Sequence, residues 1–233
     1  MEAREEKLSG IRKAIAKNLK NAMDSVAYTS LVQKADATAL WNYRLSVKDK
    51  VLAEQGVKLT FLSWVIKATS IALMEFPMFA AKVDEEAGVI KYPGQINISI
   101  AVDTPYGLLV PVIKNTEKLS VVEIQKEIVR LAELARGRKI TQADMQGADF
   151  TITNIGSVGI LFGNPIMNYP QIGILAVGAI FDELARKNGE IVDKKSVFLT
   201  VAADHRWVDG ADIGRFNGRI IQLLEEPEKL GEL

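Results

Sequence analysis

The segment "FLSWVIKATSIALMEF" (61–76) is the longest apolar stretch of the chain and makes the first demand on its fold. Lys67, Ser63 and Ser70 interrupt it and Pro77 follows it, so it is too short and too polar for a bilayer span, which needs about 20 predominantly apolar residues. It reads as a buried helix, which other elements must cover. The chain has the material to do so. Of its 233 residues 48% are hydrophobic and 25% charged, the profile of a globular protein with a sizeable core. Length alone leaves room for one large α/β domain or two small ones. No Pro/Ser-rich linker or internal repeat divides the sequence, which favours a single domain over 1–233.

Composition removes several classes of function. Lys+Arg and Asp+Glu both total 29, so the formal net charge is +0 and no general attraction to nucleic acid or to an anionic membrane is expected. Cysteine is absent, which removes disulfides, thiolate nucleophiles and Cys-based metal sites, and fits a reducing, cytoplasmic setting. One histidine leaves no His-rich zinc site, and no metal is expected. The start, "MEAREEKLSG", lacks the apolar centre of a signal peptide.

Along the chain, Ser9 is a candidate N-cap for a helix carrying Ile11, Ile15, Leu19, Met23 and Val26 at helical spacing. Its basic face is flanked by acidic residues, which favours packing over membrane contact. "YTSLVQKAD" alternates like a strand, and Asp36 opens a helix with Leu40, Trp41, Leu45 and Leu52 that stops at Gly56. After the buried helix come short β segments at 80–84 and 88–92, then "INISIAV" and "GLLVPVIK" joined by the turn "DTPYG". Ser120 and Glu123 form a capping box for a helix that closes at Gly137. Strands at 149–155, 172–181 and 195–203 and a helix over 211–225 complete the reading, a two-layer α/β fold with a mixed sheet and packed helices.

Two motifs invite a ligand and fail. In "NIGSVGILFG" (154–163), the glycines do not fit G-x-G-x-x-G or the P-loop, so the segment is a loop that needs a permissive backbone. "KDKVL" (48–52) resembles the tip that carries lipoyl or biotin, but Lys50 sits inside a helical period rather than on a hairpin.

The histidine is different. "ADHRWVDGAD" (202–211) puts His205 at the end of an apolar strand, where α/β proteins commonly place their chemistry. Asp209 and Gly210 follow at the fourth and fifth positions, a coincidence expected about half a percent of the time. A neutral imidazole can take a proton from a thiol or alcohol near neutral pH if a partner holds its tautomer, and Asp204 and Asp209 are both near enough in sequence. Acyl transfer also needs a donor aimed at the tetrahedral oxyanion. "FTITNIGS" supplies Thr151, Thr153 and Ser157, and sequence does not choose among them.

"DHRWVDGADIGRF" resembles the His-x-x-x-Asp-Gly signature of dihydrolipoyl acyltransferase cores of 2-oxo acid dehydrogenase complexes, a family related to chloramphenicol acetyltransferase. "SGIRKAIAKNL", "VKLTFLSWVIKA", "NISIAVDTPYGLLVPVIKN", "MQGADFTITNIGS" and "NYPQIGILAVGAI" resemble family segments in family order, over nearly the whole chain. The resemblance implies a chloramphenicol acetyltransferase-like two-layer fold and acyl transfer between dihydrolipoamide and coenzyme A. It makes His205 the general base toward the thiol, Thr153 the oxyanion donor and Asp209 the residue that orients the loop. Arg12 is the expected partner of Asp209.

The resemblance further implies a homotrimer with sites between subunits, assembly of trimers into a cage, and lipoyl domains and dehydrogenase components as partners. The family's lipoyl and peripheral-subunit-binding domains are absent from this sequence, and "EKLGEL" at its end is a candidate contact between trimers. Trp207 and "GILFGNP" depart from the usual family text. Neither the acyl group nor the coenzyme A contacts can be read. The competing readings are a coenzyme A-dependent transferase with a small-molecule acceptor and a cage-forming scaffold without catalysis.

Overall fold

The computed structural model describes residues 3–231. Ser9 accepts the Arg12 N–H at 3.2 Å and opens α1 (Gly10–Ser25). The helix is amphipathic as expected, but only part of its apolar face is covered by the chain's own body. Only Ala22 is buried, and Ile11, Leu19 and Met23 stand well exposed. β1 (Tyr28–Asp36) leads into α2 (Thr38–Gln55). Asp36 closes the strand rather than opening the helix, yet its Oδ1 takes the Thr38 N–H at 3.0 Å and so serves the helix start from outside. Gly56 ends α2 at φ 68°, donating to the Leu52 carbonyl at 3.0 Å. The buried side of α2 is built on Leu40 and Val51, whereas Leu45 and Leu52 face out, so the spacing marked the helix but not its inner face. Lys50 lies within α2.

The apolar segment forms α3 (Phe61–Glu75) with nine buried residues; Ser63, Lys67 and Ser70 have partners, whereas the buried Thr69 hydroxyl has none among the described residues. Ser63 donates to the Thr60 carbonyl at 2.9 Å, and Ser70 shares a 2.9 Å hydrogen bond with Thr116. Lys67 donates to the Glu117 and Leu119 carbonyls at 3.0 and 2.7 Å, while burial lowers its ammonium pKa. A short 3₁₀ turn, Pro77–Ala80, precedes the hairpin of β2 (Lys82–Asp84) and β3 (Val89–Lys91). β4 (Ile98–Ile100) and β5 (Val112–Ile113) pair antiparallel, shorter than their apolar text suggested and extended by one bridge, Val102 to Leu109. α4 (Val121–Arg136) carries the expected capping box, Ser120 with Glu123.

The remaining strands are β6 (Phe150–Asn154), β7 (Gly173–Val177), β8 (Phe181–Lys187) and β9 (Glu190–Asp204), followed by α5 (Gly210–Glu225). They form a mixed sheet in the order β1-β9-β7-β6-β4-β5, with β8 also paired to β9. β4, β6 and β7 run parallel; β9 runs antiparallel to β7, β8 and β1. The expected strand 172–181 is in fact β7 plus the first residue of β8, and β9 begins five residues earlier than read. β8 escaped notice because "FDELARK" is charged text. Its charges are matched across strands instead, Lys34 to Glu183 at 2.7 Å and Lys195 to Asp182 at 2.5 Å.

Strand alternation divides the sheet. Ile152, Leu175, Val177, Leu199 and Val201 join the main core, where α5 lies on β1 and β9 and α3 lies on α5. Phe216 of α5 stacks on Phe79 at 4.2 Å between ring centres and meets Phe150 edge-on at 5.6 Å. Leu230, at the end of a 3₁₀ turn (Pro227–Leu230), is buried in this same core. The expectation that "EKLGEL" offers Leu230 to another trimer is therefore corrected, because its own chain already covers the side chain; Leu233 lies outside the described residues.

The loop 155–163 is held against the start of the 178–180 turn by two glycines. A Cβ on Gly178 would stand 1.8 Å from the Leu161 carbonyl oxygen, and one on Gly156 would stand 2.4 Å from that of Gly178. Gly178→Ala should destabilise the fold by about 2–4 kcal/mol, because backbone rather than a side chain must yield. Urea unfolding checks this; a loss under about 0.5 kcal/mol, the range of ordinary surface substitutions, would show that the loop moves away freely.

Candidate active site

β9 ends at Asp204, and His205 begins the turn to α5. The turn follows from the end of sheet pairing: Tyr28 opposite Asp204 is the last register pair of β1 and β9. The His205 N–H still donates to the Ala27 carbonyl at 2.7 Å, and the Trp207 N–H donates to the Asp204 carbonyl at 3.0 Å. The His205 side chain is 47% exposed. Asp209 stands at the N-cap of α5, its N–H donating to Asp212 Oδ2 at 3.2 Å. Its Oδ1 lies 3.8 Å from His205 Nδ1, an ion-pair distance beyond hydrogen-bond reach, and its side chain is 82% exposed.

The other candidate for holding the imidazole, Asp204, is buried and turned away to Arg206, with Nη2 to Oδ2 at 2.7 Å. Among the described residues no ion pair joins Arg12 to Asp209; Arg12 lies exposed in the first turn of α1. Within one chain, the Arg12–Asp209 pair expected from the resemblance is not formed.

The three hydroxyls left open by the sequence are distinguished by their hydrogen bonds. Thr151 is buried and donates to Gln171 Oε1 at 2.5 Å while Ser99 shares a 2.8 Å bond with it. Ser157 donates to the Asn154 carbonyl at 2.9 Å. Thr153, half-buried on β6 opposite Ala176, has no side-chain hydrogen bond among the described residues. Its side chain lines an apolar cavity of about 370 Å³ with Leu19, Leu108, Ile155, Ile160 and Met167. Of the three, Thr153 has a proton to give and space in front of it.

His205 and Thr153 are not neighbours within one chain. Thr153 pairs with Ala176 and Ala176 with Thr200, so His205 lies five residues further along β9 and two strands across. At about 3.3 Å per residue and 4.8 Å per strand, the two side chains originate roughly 20 Å apart. The register fixes this separation, and no side-chain rotation closes it.

The sequence pattern of the family described as "2-oxoacid dehydrogenases acyltransferase (catalytic domain)" matches residues 1–232. The chain belongs to that family. It is 42% identical, over 96% of its length, to the dihydrolipoyllysine-residue acetyltransferase component of the pyruvate dehydrogenase complex of Bacillus subtilis, and covers 50% of that protein. It thus spans about half the length of the curated relatives it matches.

The crystal structure of a probable dihydrolipoamide acetyltransferase from Listeria monocytogenes superposes with a TM-score of 0.94 at 36% identity, covering 99% of this chain and 98% of that one. The Azotobacter vinelandii dihydrolipoamide acetyltransferase, studied for the role of a serine, a histidine and an asparagine in its catalytic mechanism, superposes with a TM-score of 0.94 at 32% identity, covering 98% and 94%. At the same values matches the cubic core of the pyruvate dehydrogenase multienzyme complex. Chloramphenicol acetyltransferase, 12% identical with a TM-score of 0.56, shares the fold. The two-layer α/β fold of the family is the fold of this chain.

The acidic residue just before β6 gives a test of the strand that carries Thr153. Asp149 is buried, accepts the Asn97 N–H at 3.0 Å and pairs with Lys82 at 3.3 Å, yet burial outweighs these partners and pushes its carboxyl pKa up. A raised folded pKa favours the protonated form, so its contribution is present at low pH and is lost as pH rises from the unfolded carboxyl pKa through the folded one. The stability of wild type relative to Asp149→Asn should therefore fall as pH rises through that window. A difference that grows with pH in chemical unfolding would reverse the sign and refute the assignment.

Proposed function

We propose that the chain transfers an acyl group between dihydrolipoamide and coenzyme A, and that its site is completed only when two copies meet. The observation that carries the reading is the pair of half-sites: an exposed imidazole at one end of the sheet and a hydroxyl with no internal partner at the mouth of an apolar cavity, too far apart to act within one chain. The Azotobacter relative supports the assignment. Its serine precedes its histidine by as many positions as Thr153 precedes His205, and its asparagine follows by as many as Asp209 does.

In this reading, His205 takes the proton of a thiol as the sulfur attacks the thioester carbonyl carbon. A C–S bond forms and the carbonyl pair moves to oxygen, where the O–H of Thr153 from the neighbouring copy donates to the oxyanion. Collapse breaks the other C–S bond, and the departing sulfur takes the proton from the imidazolium. No acyl-enzyme intermediate is involved. Asp209, whose Oδ1 lies 3.8 Å from His205 Nδ1, orients the loop that carries the histidine. The apolar cavity suits the acyl and aliphatic parts of the substrates and keeps water from the carbonyl.

The arrangement proposed is a homotrimer assembled into a larger cage, with lipoyl domains and dehydrogenase components as partners; the relative that forms a cubic core supports it. Acetyl is the acyl group to test first, since the relatives are named acetyltransferases.

Acetyl-, succinyl- and branched-acyl-coenzyme A assayed with dihydrolipoamide, alongside particle mass, test the reading. His205→Ala should abolish turnover, and Thr153→Ala should lower it about 10²–10³-fold. Refolding the two inactive variants together should restore part of the activity, because mixed trimers contain interfaces with an intact His205 and an intact Thr153. No activity in any mixture, with mixed particles confirmed by mass, would place both residues in one chain's site and defeat the shared-site reading.

A further inference from the structure

Among the described residues, no side chain holds the His205 ring at hydrogen-bond distance, since the one acidic neighbour stands 3.8 Å away and is largely exposed. The backbone around it is held far more tightly. The Asp204 carboxylate, 4% exposed, accepts the Ala27 N–H and the Arg206 N–H on Oδ1, both at 3.2 Å. The guanidinium of Arg206 closes on the same carboxylate through Nε, at 3.0 and 3.1 Å, and through Nη2 at 2.7 Å. This side-chain ring closes over one residue, His205. From the other direction, the His205 N–H donates to the Ala27 carbonyl at 2.7 Å and the Asp204 N–H to the Ile172 carbonyl at 3.0 Å. Ala27 is thus bonded to the turn through both its N–H and its C=O. The free side of the guanidinium reaches Glu85, between β2 and β3, with Nη1 at 3.0 and 3.3 Å from its two oxygens.

A buried ion pair is weak evidence for stability, because desolvation offsets most of its attraction and an apolar pair of similar volume often serves as well. Its distinctive product is geometry: a planar fork on a carboxylate fixes distance and angle together. We propose that Asp204 and Arg206 are positioning residues for His205, clamping the backbone on both sides of it so that the imidazole is aimed across the subunit boundary without a side-chain partner of its own. Glu85 is the outer tether, linking the β2–β3 hairpin to the same clamp. The proposal rests on the reading of His205 as the base. The hydrogen bonds to Asp204 raise the Arg206 guanidinium pKa still further, so the fork keeps its charge and its donors.

The test uses Asp204→Asn, Arg206→Ala and the milder Arg206→Lys, which keeps the charge but loses the fork. Each is assayed for kcat and for KM toward both substrates. Because the chain has one histidine, protein labelled with ¹³C at histidine Cε1 gives one ring cross-peak, which reports on His205 without any assay. A misaimed base should lower kcat about 10–100-fold in Asp204→Asn and Arg206→Ala, with KM values within about twofold and Arg206→Lys in between. In the same variants the ring signal should broaden or split. Folded variants that keep kcat within about threefold, or that lose kcat while the ring signal stays as in wild type, overturn the proposal. If Asp204→Asn and Arg206→Ala do not fold, Arg206→Lys decides by the same criteria. If wild type and His205→Ala prove equally active, the base assignment fails by itself, and the ring signal still decides whether the clamp orders the imidazole.

Discussion

The hydrogen-bonded register of β9 is the constraint from which the rest of the structure follows. Nine of its residues pair with β1 on one edge, while the other edge is shared in succession by β8 and β7. A strand bonded on both edges cannot slip by one residue without turning Val197, Leu199, Val201 and Ala203 out of the core and Thr200 and Ala202 into it. The same register determines where the strand ends, and therefore where His205 leaves the sheet and α5 begins. The position of the imidazole is thus a property of the core. The apolar strand and its terminal histidine belong to one device, in which burial along β9 supplies the rigidity that the exposed end requires.

Much of this was legible because local chemistry and the global fold agree. Ser9, Gly56 and the Ser120–Glu123 box mark helix ends by side-chain and backbone hydrogen bonds that depend on a few adjacent residues, and the structure has them in place. The buried helix was equally clear, since nothing but a core accommodates "FLSWVIKATSIALMEF". What the sequence hid was decided by distant partners. β8 is a strand because β9 pairs with it, against the preference of its charged text. The apolar stripe of α1 looked like a packing face, yet little of it meets the chain's own body.

The candidate site divides along the same line. The aspartate and glycine after His205 mark the end of a strand and the cap of a helix, local events that spacing can reveal. The distinction among Thr151, Thr153 and Ser157 was only partly local: Thr151 is engaged by the distant Gln171 and Ser99, whereas Ser157 is engaged by the Asn154 carbonyl three residues before it. Asp204 and Arg206 carried a faint signal, an acid and a base at i and i+2 around the one histidine. Only the burial of Asp204 and its bond to the Ala27 N–H distinguish them from a surface pair.

Sharing the proposed site between copies resolves an electrostatic difficulty that one chain cannot. A base and an oxyanion donor are effective where water is excluded and dipoles are fixed, and an imidazole 47% exposed beside an aspartate 82% exposed has neither condition. The apolar surfaces left open in one chain, Ile11, Leu19 and Met23 on α1 and Ile160, Leu161 and Phe162 in the loop beside the cavity, are what a second copy would need in order to seal such a site. Under the proposed sharing, assembly would perform two tasks with one surface: it would remove apolar area from water, and it would lower the dielectric around the imidazole and the hydroxyl as it brings them within reach. Proton transfer and oxyanion stabilisation would then be conditional on assembly, and a lone folded chain would have no means of combining them.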